Sequence, residues 1–257
     1  MIGAIAGDII GSVYEHDPIK TKDFPLFRSD CRFTDDSVLT IAVAKAILED
    51  RDYLRWVWEI GRRYPYAGYG MSFRFWLHSN EPKPYNSWGN GSAMRVSPTG
   101  FAFDTEDLVL REAARTAEIS HNHPEGIKGA QATALAVFLA RSSRDKALVR
   151  NEVEQRFGYD LHRTVDAVRP FYQFEISCQR TVPEAIISFL ESDSYEDAIR
   201  NAISLGGDSD TLACIAGAIA EAYYGPVPPV IVEKVKTCLP SDLWLIVEQF
   251  RRNYGMV

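Results

Sequence analysis

Two stretches of the chain, SVLTIAVAKAIL (residues 37–48) and TLACIAGAIAEAYY (residues 211–224), are apolar on nearly every face. Only Lys45 and Glu221, towards their C-terminal ends, interrupt the pattern. A helix that is hydrophobic all round belongs in the middle of a bundle. The Ala and Gly in these stretches let neighbouring helices approach closely. The remaining elements must fold around the two segments.

Helical spacing continues along the chain. IGAIAGDIIGSVYE, DYLRWVWEIGRRY, EDLVLREAARTAEIS, PEGIKGAQATALAVFLARS, TVPEAIISFLES, SYEDAIRNAISLG and PPVIVEKVKTCL all read as helices. Most start at Asp, Ser, Thr or Pro and stop near Gly, Pro or polar clusters. No run alternates as a strand does, no linker divides the chain, and no fixed-period repeat occurs. With 257 residues, 46% of them hydrophobic, the chain can bury one large core. The expectation is an all-α fold in a single domain over residues 1–257, with longer loops at 15–33, 64–72, 79–92 and 118–124.

Both central segments open on acid. RFTDDS places Thr34, Asp35 and Asp36 before the first, and SLGGDSDT places Asp208, Asp210 and Thr211 before the second. Either motif alone reads as helix capping, with carboxylates at the positive end of the helix dipole. Together they change the reading. If the two helices pack side by side with their starts together, four carboxylates meet in a partly buried place. Unpaired buried carboxylates are costly and raise one another's pKa. Basic residues are scarce nearby, Arg32 being the nearest in sequence, so a divalent cation is the better neutraliser. Carboxylate and hydroxyl oxygens are hard ligands, suited to Mg²⁺, Mn²⁺ or Ca²⁺ rather than zinc. Six such oxygens exceed what one octahedral Mg²⁺ with retained waters uses, and a pair of ions bridged by one aspartate accommodates them better.

Composition removes other classes. A formal net charge of −7 argues against a broad nucleic-acid-binding face. The four cysteines (Cys31, Cys178, Cys214, Cys238) are scattered without a C-x-x-C, which fits reduced cytosolic thiols and argues against a thiolate zinc site. The apolar N-terminal stretch lacks a basic n-region and meets Asp8 early, unlike a secretion signal. No uncharged run approaches a membrane span. The expectation is a cytoplasmic protein without a membrane or nucleic-acid partner.

Five segments, in order, resemble the ADP-ribosylglycohydrolase family, that of dinitrogenase-reductase-activating glycohydrolase and the ADP-ribosyl-acceptor hydrolases. They are GDIIGSVYE, FTDDS, GNGSAMRVSP, SHNHPEG with the alanine-rich helix after it, and GGDSDT, together spanning about residues 3–225. The resemblance implies an all-α, orthogonally packed compact bundle around the two central helices. It implies two Mg²⁺ or Mn²⁺ ions held by Thr34, Asp35, Asp36, Asp208, Asp210 and Thr211, with Asp210 as the bridge. Glu15 matches a glutamate that serine-specific members carry on a mobile loop beside the metals. The implied partner is an ADP-ribosylated protein or a small ADP-ribose conjugate. The chain is shorter than many members, so loops that shape the acceptor side are trimmed and the acceptor stays open.

Further residues follow from the same motifs. Asp8, flanked by isoleucines, reads as a buried partner that orients a metal ligand or a Thr/Ser hydroxyl. Asn90, Gly91 and Ser92 have the small-residue character that lets backbone amides hold a diphosphate. His121 and His123 are poor zinc ligands without further His or Cys nearby. The resemblance instead sets a histidine against ribose or diphosphate, His123 ahead of His121. Arg95 reads as a surface or core-edge arginine, with a phosphate contact as the alternative. Among Tyr64, Tyr66, Tyr69, Phe73, Phe75 and Trp76, mostly core, at least one can stack on adenine. Asp35, Asp36 or Glu15 would serve proton transfer. The competing readings are a binding module for ADP-ribose without turnover, and a structural helical protein whose acidic starts are caps only.

Overall fold

The computed structural model describes residues 1–255. Among these it contains α-helices and no β-strand, with one isolated bridge between Gly89 and Ser177. The all-α expectation therefore holds. In chain order the helices are α1 (Ile2–Gly11), α2 (Asp35–Leu48), α3 (Tyr53–Arg63), α4 (Met71–His78), α5 (Gly91–Met94), α6 (Ser97–Ala102), α7 (Glu106–Glu118) and α8 (Pro124–Ser143). They continue with α9 (Lys146–Phe157), α10 (Val165–Val168), α11 (Cys178–Leu190), α12 (Tyr195–Ser204), α13 (Ser209–Tyr224), α14 (Pro229–Cys238) and α15 (Ser241–Asn253). No helix among the described residues is long and apolar enough to cross a membrane.

Helix α13 is the axis of the molecule, packing against α1, α8, α11 and α12. Its closest partner is α1, every residue of which is buried. Three glycines one turn apart explain the closeness. Gly3 lies on Gly217, Gly7 on Ala213, and Gly11 on Ser209 and Asp210, so the two backbones touch in antiparallel sense. A Cβ at any of these three glycines would collide with the α13 backbone. Glu221, the polar break in the second apolar segment, is satisfied in this interface by the N–H of Gly3 at 2.8 Å.

The two apolar segments meet at their starts rather than along their length. α2 and α13 have few mutual contacts, and α1 is the long partner of α13. α2 packs on α3, α15, α1 and α6. The reason is steric: α1 offers the glycine stripe that admits backbone-to-backbone approach to α13.

Boundaries also differ. α1 stops at Gly11 rather than continuing to Glu15, which leaves Glu15 in the following loop. α4 lies partly in a stretch read as loop. α9 and α15 fall outside the helices read from the sequence, although α15 buries Leu243, Ile246, Val247 and Phe250 at helical spacing.

Candidate active site

The antiparallel fit of α1 on α13 brings the C-terminal end of α1 beside the N-terminal end of α13. The first turn of α2 enters at the same place. One oxygen each of Asp8, Asp36 and Asp210 lie within 4.8 Å of one another, as do one each of Glu15, Asp208 and Asp210. Asp210 belongs to both groups. The residues of the two distant acidic motifs thus share one pocket.

Local capping builds part of this arrangement. Thr34 is the extended N-cap of α2 and accepts a bond from the Asp36 N–H at 3.3 Å. Asp8 then grips the start of α2 from α1. It accepts the Thr34 N–H at 2.9 Å, the Thr34 hydroxyl at 2.6 Å and the Ser37 N–H at 3.1 Å, and it also accepts the Ser37 hydroxyl. The second motif does not cap in this way. Asp208 is at the N-cap of α13 but makes no side-chain cap bond. Its carboxylate accepts from the Asn90 side chain at 2.7 Å, and Asn90 also donates to Thr181 at 3.2 Å. Gly206, at φ +65°, supplies the left-handed turn before it. Thr211 donates its hydroxyl to Asp36 at 3.4 Å, tying the two motifs directly.

Burial dominates the electrostatics. It pushes the Asp8 carboxyl up to about 7, with the Asp210 charge adding to the rise and the Thr34 and Ser37 bonds opposing it. Burial, then Asp210, holds Asp35, Asp36 and Asp208 well above the usual carboxylate range. Glu15 is raised by the same two causes. Among the described residues no lysine or arginine pairs with this group; the His16 ring lies 3.6 Å from the Glu15 carboxylate. Asp36 Oδ1 is buried without any partner. A buried carboxylate oxygen without a partner, beside several other carboxylates with which no lysine or arginine pairs directly, is what a divalent cation needs. The carboxylates close enough together to hold one are those of Asp8, Asp36 and Asp210 and those of Glu15, Asp208 and Asp210; Asp35 lines the same pocket but belongs to neither group, and the Thr34 hydroxyl is given to Asp8.

The carboxylates of Glu15, Asp35, Asp36, Asp208 and Asp210 line a cavity of about 560 Å³. Gly91, Arg95 and His121 line it elsewhere, and the exposed Tyr66, Met71, Phe174 and Ile176 also line it. His121 and His123 separate here. His121 is buried and faces the cavity beside Gly91. His123 is not a lining residue; its Nδ1 accepts the Glu125 N–H at 3.1 Å as the N-cap of α8. The order set by the resemblance is thereby reversed. Ser92 does not line the cavity either, because its hydroxyl donates to the Gly126 carbonyl at 2.7 Å. Asn90 lines the cavity, but its amide N–H donates to the Ile176 carbonyl at 2.7 Å and its side chain serves Asp208. Of the six aromatic candidates, Tyr66 and Phe73 line the cavity. Sequence reasoning missed Tyr85, Phe174 and Ile176, for which spacing gives no signal.

Arg95 is neither at the surface nor at the edge of the core. It is fully buried and is the largest of the fully buried side chains.

The chain is similar to ADP-ribosylhydrolase ARH3 of Gallus gallus, 29% identical over 314 residues, covering 89% of this chain and 86% of that protein. It is similar to the Homo sapiens ARH3, 27% identical over 307 residues, covering 88% and 84%. An alignment 314 positions long against a chain of 257 residues requires segments in the relative that this chain lacks. ADP-ribosylarginine hydrolase Tri1 of Pseudomonas putida (strain GB-1) is 29% identical over 160 residues, 57% of this chain and 42% of that protein. Among solved structures, an "ADP-ribosylglycohydrolase-related protein complex" superposes with a TM-score of 0.72 at 22% identity, over 98% of this chain and 95% of that one. The family profile for ADP-ribosylglycohydrolase matches residues 1–255, and on that span the chain belongs to the ADP-ribosylglycohydrolase family.

Proposed function

We propose that the protein is a metal-dependent hydrolase that releases ADP-ribose from an ADP-ribosylated side chain or a related conjugate. The observation that carries the reading is the convergence of Glu15, Asp35, Asp36, Asp208 and Asp210 on a cavity of about 560 Å³, with Arg32 acting on Glu15 alone and at a distance. A module that only binds needs no such set of ionisable groups around one point. Two Mg²⁺ or Mn²⁺ ions fit the donor set. That Asp210 is common to both carboxylate groups supports its role as the shared ligand. When bound, such ions orient ribose hydroxyls and lower the pKa of water.

The chain's own residues account for the remaining steps. The bond between the anomeric carbon and the acceptor nitrogen or oxygen breaks, and the electron pair leaves with the acceptor. Positive charge develops on the ribose ring, as in other glycosidic cleavages. The carboxylates of Asp35 and Asp36 stabilise that charge. A water oxygen forms the new bond to the anomeric carbon. Glu15, Asp35 or Asp36 takes a proton from that water and passes a proton to the departing acceptor, so the carboxylate ends as it began. Asp8 holds the start of α2, and so Thr34, in place.

The test is release of free ADP-ribose from defined peptides carrying ADP-ribosyl-serine or ADP-ribosyl-arginine, with Mg²⁺, Mn²⁺ or chelator. Turnover of at least one conjugate, lost in chelator and in Asp210→Ala with helical content unchanged, is the expected result. A fully active, metal-free Asp210→Ala protein overturns it.

A further inference from the structure

We propose that Arg95, acting through Ser120, locks His121 as the tautomer that presents its Nε2–H to the cavity, and supplies the buried counter-charge for an anionic group bound there. The proposal rests on the ADP-ribose reading only for the identity of the anion, a diphosphate.

Arg95 lies at the turn after α5 and is fully buried, yet no carboxylate is among the groups that bear on its ionisation. Burial lowers it to about 10, which leaves it charged at neutral pH. Its Nη2 donates to the Thr116 carbonyl at 2.7 Å and to the Ser120 hydroxyl at 2.9 Å. Its Nε and Nη1 have no partner. The nearest relief is the Phe73 ring, whose centroid is 5.8 Å from the guanidinium carbon. A buried cation left this bare is costly unless an anion completes it. The acidic cluster does not, since none of its members influences Arg95. The cavity that Arg95 helps to line is the remaining source.

The proton positions follow from the bonding. A guanidinium can only donate, so the Ser120 oxygen accepts from Arg95. The other recorded partner of Ser120 Oγ is His121 Nδ1, at 2.8 Å. The hydroxyl proton therefore goes to Nδ1, which makes Nδ1 the acceptor and leaves the ring proton on Nε2. Burial and the neighbouring guanidinium both hold the imidazole neutral. The ring plane is fixed by Phe73 and Tyr85, with centroids 6.4 and 5.7 Å from His121. Nε2 faces Gly89 and Gly91, where a Cβ on Gly91 would stand 3.1 Å from it. The result is a fixed neutral donor backed by a buried positive charge. Such a pair suits a phosphate oxygen better than a titrating histidine would.

The experiment uses the full chain with ¹⁵N-labelled histidine. In the unliganded wild type, NMR is expected to show His121 with a bare Nδ1 and a protonated Nε2, unchanged from mildly acidic to mildly alkaline pH. Ser120→Ala is expected to free Nδ1 and mix the tautomers. It should weaken ADP-ribose binding about tenfold by calorimetry while leaving adenosine, which has no phosphate, within twofold. Arg95→Lys keeps the charge and is expected to bind ADP-ribose more tightly than Arg95→Met. Should Arg95→Met fail to fold, Ser120→Ala alone decides. A protonated Nδ1 in the wild type, an unmoved His121 signal in Ser120→Ala, or equal losses for adenosine and ADP-ribose overturns the proposal. The histidine signal needs neither ligand nor turnover, so its failure is separable from failure of the hydrolase reading.

Discussion

The carboxylate of Asp8 holds Thr34 twice, accepting its N–H at 2.9 Å and its hydroxyl at 2.6 Å. Through this clamp, α1 decides where α2 begins and so where Asp35 and Asp36 stand. Thr34→Val keeps the shape and removes the hydroxyl. It deletes one bond to a buried carboxylate and the cap on the Asp36 N–H. The expected loss is about 2 kcal/mol in urea unfolding. A weaker thermal shift with Mg²⁺ or Mn²⁺ should accompany it, because the hydroxyl is both the anchor of the α2 start and one of the proposed ligand oxygens. If Thr34→Val matches the wild type in both stability and metal response, the clamp has no energetic role.

The packing of Gly7 on the Ala213 backbone is a second, independent constraint. Nothing flexible lies there to move aside, so a methyl group must push α1 away from α13. Gly7→Ala is expected to cost about 3 kcal/mol. It should also spread the carboxylates that these two helices bring together, and so reduce the metal-induced thermal shift. Gly70→Ala is the control: its φ is −58° and no atom lies within 4 Å of its would-be Cβ. It is expected to unfold within about 0.5 kcal/mol of the wild type. Equal stability of the two variants would contradict the close-packed α1–α13 interface.

The buried carboxylates give the protein a characteristic response to pH. Asp8 is raised to about 7 from an ordinary value near 4, and Asp35, Asp36, Asp208 and Glu15 are shifted in the same direction. Over that window the folded chain retains protons that the unfolded chain has released. Stability of the metal-free protein therefore falls as pH rises from about 4 towards 7 and beyond. A cation binds the deprotonated carboxylates and reverses the penalty. The melting temperature in chelator should be lower at pH 8 than at about pH 5.5. The shift produced by Mg²⁺ should be larger at pH 8. A chelated protein that melts higher at pH 8 would mean that the carboxylates are not buried as described.

Much of this site was legible because its chemistry is carried by residue type. Two acid-rich starts on two all-apolar helices demand a neutraliser wherever they meet, and the glycines before Asp208 announce a turn. What was not legible depends on how backbones meet. The Gly3, Gly7 and Gly11 stripe fixes α1 as the partner of α13, but three glycines in a helix also read as ordinary small residues. His121 and His123 are adjacent in kind and differ only in what their neighbours take from them. One is drawn to Ser120 inside the cavity and the other caps α8. Arg95 carries no sequence mark of burial, since an arginine without a carboxylate partner nearby is ordinarily at the surface. α15 was readable from Leu243, Ile246, Val247 and Phe250. α9 was not, because it buries only Val149 and Val153.

Lys20 sets the last expectation. Its ammonium donates to the Tyr172 carbonyl at 2.5 Å and also to the Leu205 carbonyl, just before the turn that carries Asp208. One side chain thereby ties the loop after α1, the segment leading to Phe174 and Ile176, and the start of the second acidic motif. Farther along the same loop, Arg200 donates to the carbonyls of Lys22 and Phe24 at 2.9 and 2.8 Å. Glu15 thus lies between two ties, the Ser209 hydroxyl on the Tyr14 carbonyl at 3.4 Å and the Lys20 anchor. Lys20→Met removes the anchor and strands two carbonyls near the surface. Stability should fall by about 1 kcal/mol, with faster hydrogen exchange confined to residues 15–20 and 172–177. ADP-ribose release should slow through kcat rather than KM, because Glu15 is expected to act on the proton and not on substrate binding. Unchanged exchange in both segments would show that Lys20 does not hold the Glu15 loop. A change in KM alone would take Glu15 out of the chemical step.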